Sequence, residues 1–382
     1  MTVTIICDVL GRENNGTTIA CMNLIRALKE RGHQVRVVCM DRDKAGKPGW
    51  YIVPELKLGA AADGIIHKNG VSIARADPRV LEEAIRDCDL VHTTFVFGLS
   101  RKAIDIAKKY GKPVTSSFHC QAENYTTHLF LANCEPMNRR VYRRYYRGIY
   151  SRADCVHYPT QFIRDVFESA AGPTVGRVIS NGVGEDFVPA PAERPDGLRD
   201  KFVVLSVGRL SGEKDHATLI KAAARSKYKD RLHLIIAGEG PYEGRLRRLA
   251  AKLGVELQIE FFAHEELVKV INYSDLYLHP ATVEIEAIAC LEAICCGLVP
   301  VIADSPKSAT KEFAPDERCL FHSRDPDSLA EKMDYWLEHP EEKEKCSAVC
   351  AGMAPRFHRS DCMDAMERMM LETAEAVGSA GK

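Results

Sequence analysis

Two α/β units, each a doubly wound, Rossmann-like parallel sheet, are the architecture this sequence predicts, and three observations predict it. Short β-branched runs alternate with segments of helical period from one end to the other, the pattern of parallel strands joined by crossover helices. The chain has 382 residues, more than one ordinary core accommodates. A stretch from Val188 to Gly197, carrying Pro189, Pro191 and Pro195, interrupts the alternation near the middle.

Taken in order, Val3 to Cys7 reads as a strand, Ile19 to Lys29 as a helix and Gln34 to Cys39 as a strand. Asp89 to His92 and Pro113 to Phe118 follow as strands, with helices at Arg101 to Tyr110 and Met137 to Tyr150. These elements make a first domain, residues 1–187. A second series of strands, Phe202 to Val207, Leu232 to Ala237, Leu276 to His279 and Val299 to Ala303, makes a second domain over 188–359. Helical period returns from Cys362 to Ala376, so 360–382 is expected to pack back on the first domain as a helix.

Composition narrows the function. Hydrophobic residues are 46% and charged residues 27%, as in a folded globular protein. The net charge is −1, so no global field draws the chain to nucleic acid, and none is expected as a partner. The 14 cysteines are scattered without CxxC spacing and read as reduced, mostly buried thiols of a cytoplasmic protein. No apolar run approaches the roughly 18 to 20 residues that span a bilayer, so any membrane contact is expected to be peripheral.

Chemistry concentrates in the second domain. Between Ala287 and Ala303 the one charged side chain is Glu292, on a helix apolar nearly all round and stopped by Gly297. A carboxylate there requires a partner, and a pair of ribose or sugar hydroxyls can donate to it; a structural ion pair is the alternative. Glu284 lies just before the same helix, where backbone N–H groups suit a phosphate. Arg209 follows the strand Phe202 to Val207, and Lys214 precedes the next helix. Both fall at the carboxyl ends of strands, where open α/β sheets bind ligands. A guanidinium fork and a compact ammonium suit a diphosphate.

The order Gly208-Arg209-Leu210, Glu213-Lys214, Gly238-Glu239-Gly240-Pro241, then Glu284 with seven residues before Glu292, resembles the donor half of family 4 retaining glycosyltransferases, which have the GT-B fold. In the first domain Asn15-Gly16-Thr17-Thr18 resembles the family's glycine-rich loop, and Ser180-Asn181-Gly182-Val183 the segment before its interdomain linker. The resemblance implies two Rossmann-like domains facing each other across a cleft, and a hexose passed from a UDP-sugar with retention, without metal or other cofactor. It implies that Arg209 and Lys214 hold the donor diphosphate, Glu292 the ribose and Glu284 the sugar hydroxyls. Ile285, Glu286 and Ala287 would line the donor, Gly16 would allow close backbone approach, and His119 would stand near the sugar. Many members carry Gly-Phe-Gly where Ile285-Glu286-Ala287 stands here, which bears on the hexose chosen.

The acceptor is read from fewer residues. Between Met137 and Tyr150, Arg139, Arg140, Arg143, Arg144 and Arg147 form one stripe, and Val141, Tyr142, Tyr145, Tyr146, Ile149 and Tyr150 another. A basic amphipathic helix of this kind suits an anionic bilayer surface, here the inner face of the plasma membrane, at roughly 1 kcal/mol per nearby basic residue. The same pattern also suits a domain helix with tyrosines inward and arginines solvated. Phe118-His-Cys-Gln-Ala-Glu-Asn124 and Ser305-Pro-Lys-Ser-Ala-Thr310 resemble segments of bacterial diacylglycerol glycosyltransferases, implying a lipid acceptor. A soluble or polysaccharide acceptor is the second reading; a nucleotide-sugar epimerase and a non-catalytic nucleotide-sugar-binding subunit are more distant ones.

Overall fold

The strand β1 (Thr2–Ile6) is buried from Val3 onward, as a central parallel strand covered on both faces must be. The computed structural model describes residues 1–8, 10, 16–57, 59, 72–126 and 134–380. After β1 come α1 (Gly16–Glu30), β2 (Gln34–Cys39), β3 (Trp50–Ile52), α2 (Pro78–Ile85), β4 (Leu90–Thr93), α3 (Gly98–Lys109) and β5 (Val114–Ser117). Then follow α4 (Ala122–Thr126), α5 (Glu135–Gly148), β6 (Cys155–Tyr158), α6 (Gln161–Ala171) and β7 (Gly176–Val178). Among the described residues these strands form one parallel seven-stranded sheet in the order β3-β2-β1-β4-β5-β6-β7. The order reverses between β1 and β4, which pair Ile6 with Thr93, so the switch point lies at their carboxyl ends.

Local chemistry sets the helix starts. Asp77 accepts the backbone N–H of Arg79 at 2.9 Å ahead of Pro78, an N-cap followed by a proline at the first helical position. Thr160 caps α6 through the N–H of Ile163 at 3.3 Å.

The second unit carries β8 (Phe202–Val207), α7 (His216–Arg225), β9 (Leu232–Ala237), α8 (Glu243–Leu253), β10 (Leu257–Glu260) and α9 (His264–Tyr273). It continues with β11 (Leu276–His279), α10 (Ile288–Cys295), β12 (Pro300–Asp304), β13 (Leu320–His322), α11 (Pro326–Glu338) and α12 (Pro340–Gly352). Its six described strands are parallel in the order β10-β9-β8-β11-β12-β13, reversing between β8 and β11. Gly297, at φ 76°, ends α10 as the sequence predicts: its N–H reaches the carbonyl of Ile294 at 2.8 Å, and Leu298 N–H that of Ala293 at 3.0 Å.

The final helix, α13 (Arg359–Ala380), belongs to the first unit from Ser360 on. Its Cys362, Met363, Met366, Met369 and Met370 are buried in one cluster with Val3, Ile5, Leu24, Leu28 and Val37. The domain boundary read at 187/188 shifts: the compact units divide at Asn181/Gly182. The segment after Gly182 is stitched into the second unit, with Val183 N–H on the carbonyl of Phe357 at 2.7 Å and Arg359 N–H on that of Val183 at 2.9 Å. Phe187 is buried in that unit's core, so the prolines mark a loop inside the second unit.

Candidate active site

In the second unit the loops after β8 and β9 meet main chain against main chain. Gly238 has φ 155° and Gly240 φ 159°. A Cβ on Gly238 would run into the carbonyl oxygen of Gly208, and one on Gly240 would meet the backbone nitrogen of Leu210 at 2.7 Å. Leu210 N–H donates to the carbonyl of Glu239 at 2.9 Å, fixing the strand mouth from which Arg209 projects. The Lys214 side chain lies over Gly208, where a Cβ would meet its Cε at 3.4 Å.

The cations at this mouth are held by carboxylates. Arg209 donates to Glu213 Oε1 at 2.9 Å, and Ser211 hydroxyl donates to the same oxygen at 2.5 Å. Burial raises the Glu213 carboxyl, but Ser211 and Arg209 outweigh it and leave the pKa lowered. Lys214 pairs with Glu284 across 70 residues of sequence. Burial again works to raise Glu284, yet the Lys214 charge and the His279 ring bring its pKa down to about 2. His279 ends β11 and places Nε2 3.5 Å from Glu284 Oε1, outside hydrogen-bond alignment. Sequence reasoning missed His279, although its place at a strand's carboxyl end is the same signal that singled out His119. It also missed His216, buried at the start of α7 with its pKa lowered to about 3 by burial and the Lys214 charge.

The Glu284 backbone joins the two segments that the sequence flagged separately. Glu284 N–H donates to the carbonyl of Lys307 at 3.3 Å, Ala309 N–H to that of Glu284 at 3.0 Å, and Ser305 hydroxyl to that of Thr282 at 2.6 Å. Ile285 is partly buried and Glu286 is buried. Ala287 takes φ 59°, ψ 61° immediately before α10. That left-handed conformation costs a residue with a Cβ roughly 1 to 2 kcal/mol, which is where the sequence departs from a glycine pattern.

Glu292 stands apart from that cluster. It is partly exposed and makes no side-chain hydrogen bond among the described residues. Burial raises its pKa to about 7, against the opposing charges of His264 and Arg359. Burial chiefly, with smaller contributions from Cys290, Glu284 and Glu292, pushes the Tyr277 hydroxyl well above its ordinary value.

In the first unit, Gly16 opens α1 as its first residue instead of sitting in a loop, and, its own helix aside, no described residue lies within 4 Å of its Cβ position. Asn15 lies outside the described residues. Thr17 and Thr18 occupy the first turn of α1. His119 follows β5, partly buried, and lines a cavity with Ala20, Cys21 and Leu24 of α1. Burial, then the His157 and His92 rings, hold it well below the usual histidine range, so it is neutral. The arginines 139, 140, 143, 144 and 147 of α5 are all exposed. On its inner face Asn138, Tyr142 and Tyr145 are buried. Tyr142 hydroxyl donates to Glu123 at 2.7 Å, anchoring α5 to the segment after His119. Among the described residues no helix is long and apolar enough to cross a membrane.

Comparison with known proteins accounts for both units. A family model described as Glycosyltransferase Family 4 matches residues 14–187, and one described as Glycosyl transferases group 1 matches residues 192–349. The alpha-monoglucosyldiacylglycerol synthase of Streptococcus pneumoniae is 25% identical over 321 residues, 79% of this chain and 71% of that protein. A GDP-mannose-dependent monoacylated alpha-(1-6)-phosphatidylinositol monomannoside mannosyltransferase of Corynebacterium glutamicum is 30% identical over 222 residues, 52% of this chain and 56% of that one. The crystal structure of Anabaena Alr3699/HepE in complex with UDP and glucose superposes with a TM-score of 0.73 at 16% identity, covering 97% of this chain and 100% of that one. That likeness is one of fold: the two sheets described above have the GT-B architecture.

Proposed function

The chain belongs to the glycosyltransferases matched by the family 4 model over 14–187 and the group 1 model over 192–349, and from that premise we propose that it transfers a hexose from a UDP-sugar to a membrane lipid such as diacylglycerol, with retention of configuration and without a metal ion. The observation that carries the reading is the pairing of Lys214 with Glu284 beside Arg209, at the carboxyl ends of β8 and β11. Two cations set in a rigid main-chain frame suit a departing diphosphate, and preorganised charge of this kind is the largest usual contribution to catalysis. Glu284, ionised at neutral pH, accepts from sugar hydroxyls. In same-face attack the acceptor oxygen bonds to the anomeric carbon while the bond to phosphate breaks. The acceptor proton then passes to the departing phosphate oxygen. Neutral His119 serves as a hydrogen-bonding group at the sugar. The lipid acceptor is supported by the lipids in the two relatives' names, a monoglucosyldiacylglycerol and a phosphatidylinositol monomannoside, and by the exposed arginines of α5.

The donor base is tested by ligand-induced stabilisation. UDP is expected to raise the melting temperature more than GDP or ADP at equal concentration. A larger shift with GDP would move the donor to a guanosine diphosphate sugar.

Glu292 gives the binding a pH signature. Ribose hydroxyls donate to the ionised carboxylate, so a bound nucleotide lowers the Glu292 pKa and releases a proton. Affinity should therefore be constant above about 7, the pKa in the free protein, and weaken by up to about tenfold per pH unit below it until the carboxylate's ordinary range. In the free protein the sign is opposite. The raised pKa contributes stability that is full below the ordinary carboxyl value and lost as pH rises through about 7. Calorimetric titration with UDP across pH, on the native protein and on Glu292→Gln, checks both; a native profile as flat as the variant's would remove Glu292 from the nucleotide site.

A further inference from the structure

Next to His119, three strands contribute side chains to one line of hydrogen bonds. Thr115 Oγ1 lies 2.9 Å from His92 Nδ1, and His92 Nε2 3.0 Å from Ser117 Oγ. Ser117 Oγ in turn lies 2.8 Å from His157 Nδ1, and His157 Nε2 2.7 Å from the carbonyl oxygen of Ile179. A carbonyl oxygen only accepts, so His157 carries its proton on Nε2 and, as a neutral ring, accepts at Nδ1. Ser117 must then donate its single proton to His157. Its oxygen is left to accept from His92 Nε2–H, and His92 Nδ1 accepts the Thr115 hydroxyl. One acceptor at the end thus fixes the direction of four bonds and the tautomer of two rings.

Neutrality of these rings is built into the surroundings. Among the described residues that line the cavity they share with His119 there is no carboxylate, lysine or arginine. Burial lowers His92 to about 3 and His157 to about 4. His119 itself makes no hydrogen bond among the described residues, so its place is set by its neighbours. The His157 ring meets it edge-on with centroids 5.9 Å apart. Ser117 accepts the Tyr150 hydroxyl on its carbonyl at 3.3 Å, and Phe118 N–H donates to the His157 carbonyl at 2.8 Å. Phe118 is fully buried, 4.8 Å from Phe167 and 5.0 Å from Tyr150 between ring centroids.

We propose that Ser117 is a positioning residue for His119: by accepting from His92 and donating to His157 it locks both rings in one tautomer and makes them the fixed wall against which His119 stands. This rests on His119 acting at the transferred sugar. It adds that His119 depends on a buried serine engaged by two other histidines.

The test uses the full chain labelled with 15N-histidine. Between about pH 8 and 5, the resonances of His92 and His157 are expected to report Nε2–H tautomers that do not titrate, unlike an ordinary histidine. Ser117→Ala should switch a tautomer or start a titration in at least one of them. It should also lower kcat for transfer about tenfold, the scale of a lost supporting contact, with KM for the donor changed less than about twofold. Ser117→Thr, which keeps the hydroxyl, should restore most of the rate. Thr115→Val removes the far end of the chain isosterically; because the directions are set from the Ile179 end, His92 should keep its Nε2–H tautomer, and a switch to Nδ1–H there overturns the proposal even if Ser117→Ala does not fold. Native rings in the Nδ1–H form, or Ser117→Ala with native kcat, overturn the proposal. His119→Ala separates the two levels: native transfer in that variant would sink the role of His119 itself, whereas a slow His119→Ala beside a fast Ser117→Ala would sink only the positioning role.

Discussion

Turnover is expected to fall by about a hundredfold or more in Arg209→Ala while the melting temperature stays near native. The Arg209 side chain is 39% exposed and its tie to Glu213 is of the surface kind, worth under about 1 kcal/mol. Lys214→Ala should lose activity to a similar extent and behave differently in stability. Lys214 and Glu284 side chains are 21% and 13% exposed, and removing the lysine leaves a carboxylate buried without its main partner. That situation costs on the order of 3 kcal/mol or more. The pH dependence follows in sign: the lowered Glu284 pKa contributes stability that is present above its ordinary value and lost as pH falls through about 2. In Lys214→Ala that acid-side contribution should disappear. Adding Glu284→Gln to Lys214→Ala should recover stability but not turnover. Activity of the native enzyme should also survive EDTA. Calorimetry and single-turnover rates on the three variants read all of this; native turnover in both single variants would remove the cations from the reaction, and a strict magnesium requirement would remove the metal-free mechanism.

The second large effect concerns the membrane. Replacing Arg140, Arg143, Arg144 and Arg147 by serine should weaken binding to vesicles containing anionic lipid by a few kcal/mol, at roughly 1 kcal/mol per basic residue. The fold should hold, because α5 is fastened by its other face, where Asn138, Tyr142 and Tyr145 are buried and Tyr142 donates to Glu123. Arg143 reaches the carbonyl of Ala170 at 3.3 Å, so part of the loss at that position is a local contact. Native binding should fall with added salt as the charges are screened, and hydrolysis of the donor by water should be spared in the variant. Unchanged sedimentation with vesicles, or indifference to lipid charge, would make α5 an ordinary domain helix and favour a soluble acceptor.

Much of the fold was legible because the central strands are apolar on both faces. Phe202–Val207, Leu232–Ala237 and Leu276–His279 stand where their sequence runs begin and end. The strands that went unread include all four sheet edges, β3, β7, β10 and β13. An edge strand is paired on one side and wetted on the other, so it needs no continuous apolar run; Gly176–Val178 is three residues long and largely exposed. The interior β6 was also missed, and it carries His157 inside the run Cys155–Tyr158. In the candidate site, Arg209, Lys214, Glu284 and Glu292 could be named from strand ends and from the isolation of a charge. That Lys214 would meet Glu284, or that Ser117 would join two histidines from neighbouring strands, depends on register between distant segments, which no local pattern encodes.

The helix that completes the first unit leaves the ribosome only after the whole second unit. Until Met363, Met366, Met369 and Met370 emerge, Val3, Ile5, Leu24 and Leu28 lack the partners they have in the finished structure. The second unit, contiguous from Gly182 to Arg359, has by then been synthesised in full. The usual order in which domains mature along a nascent chain is therefore reversed: the sheet made first is closed after the sheet made second, and its apolar face stays without these partners while the second unit is being translated.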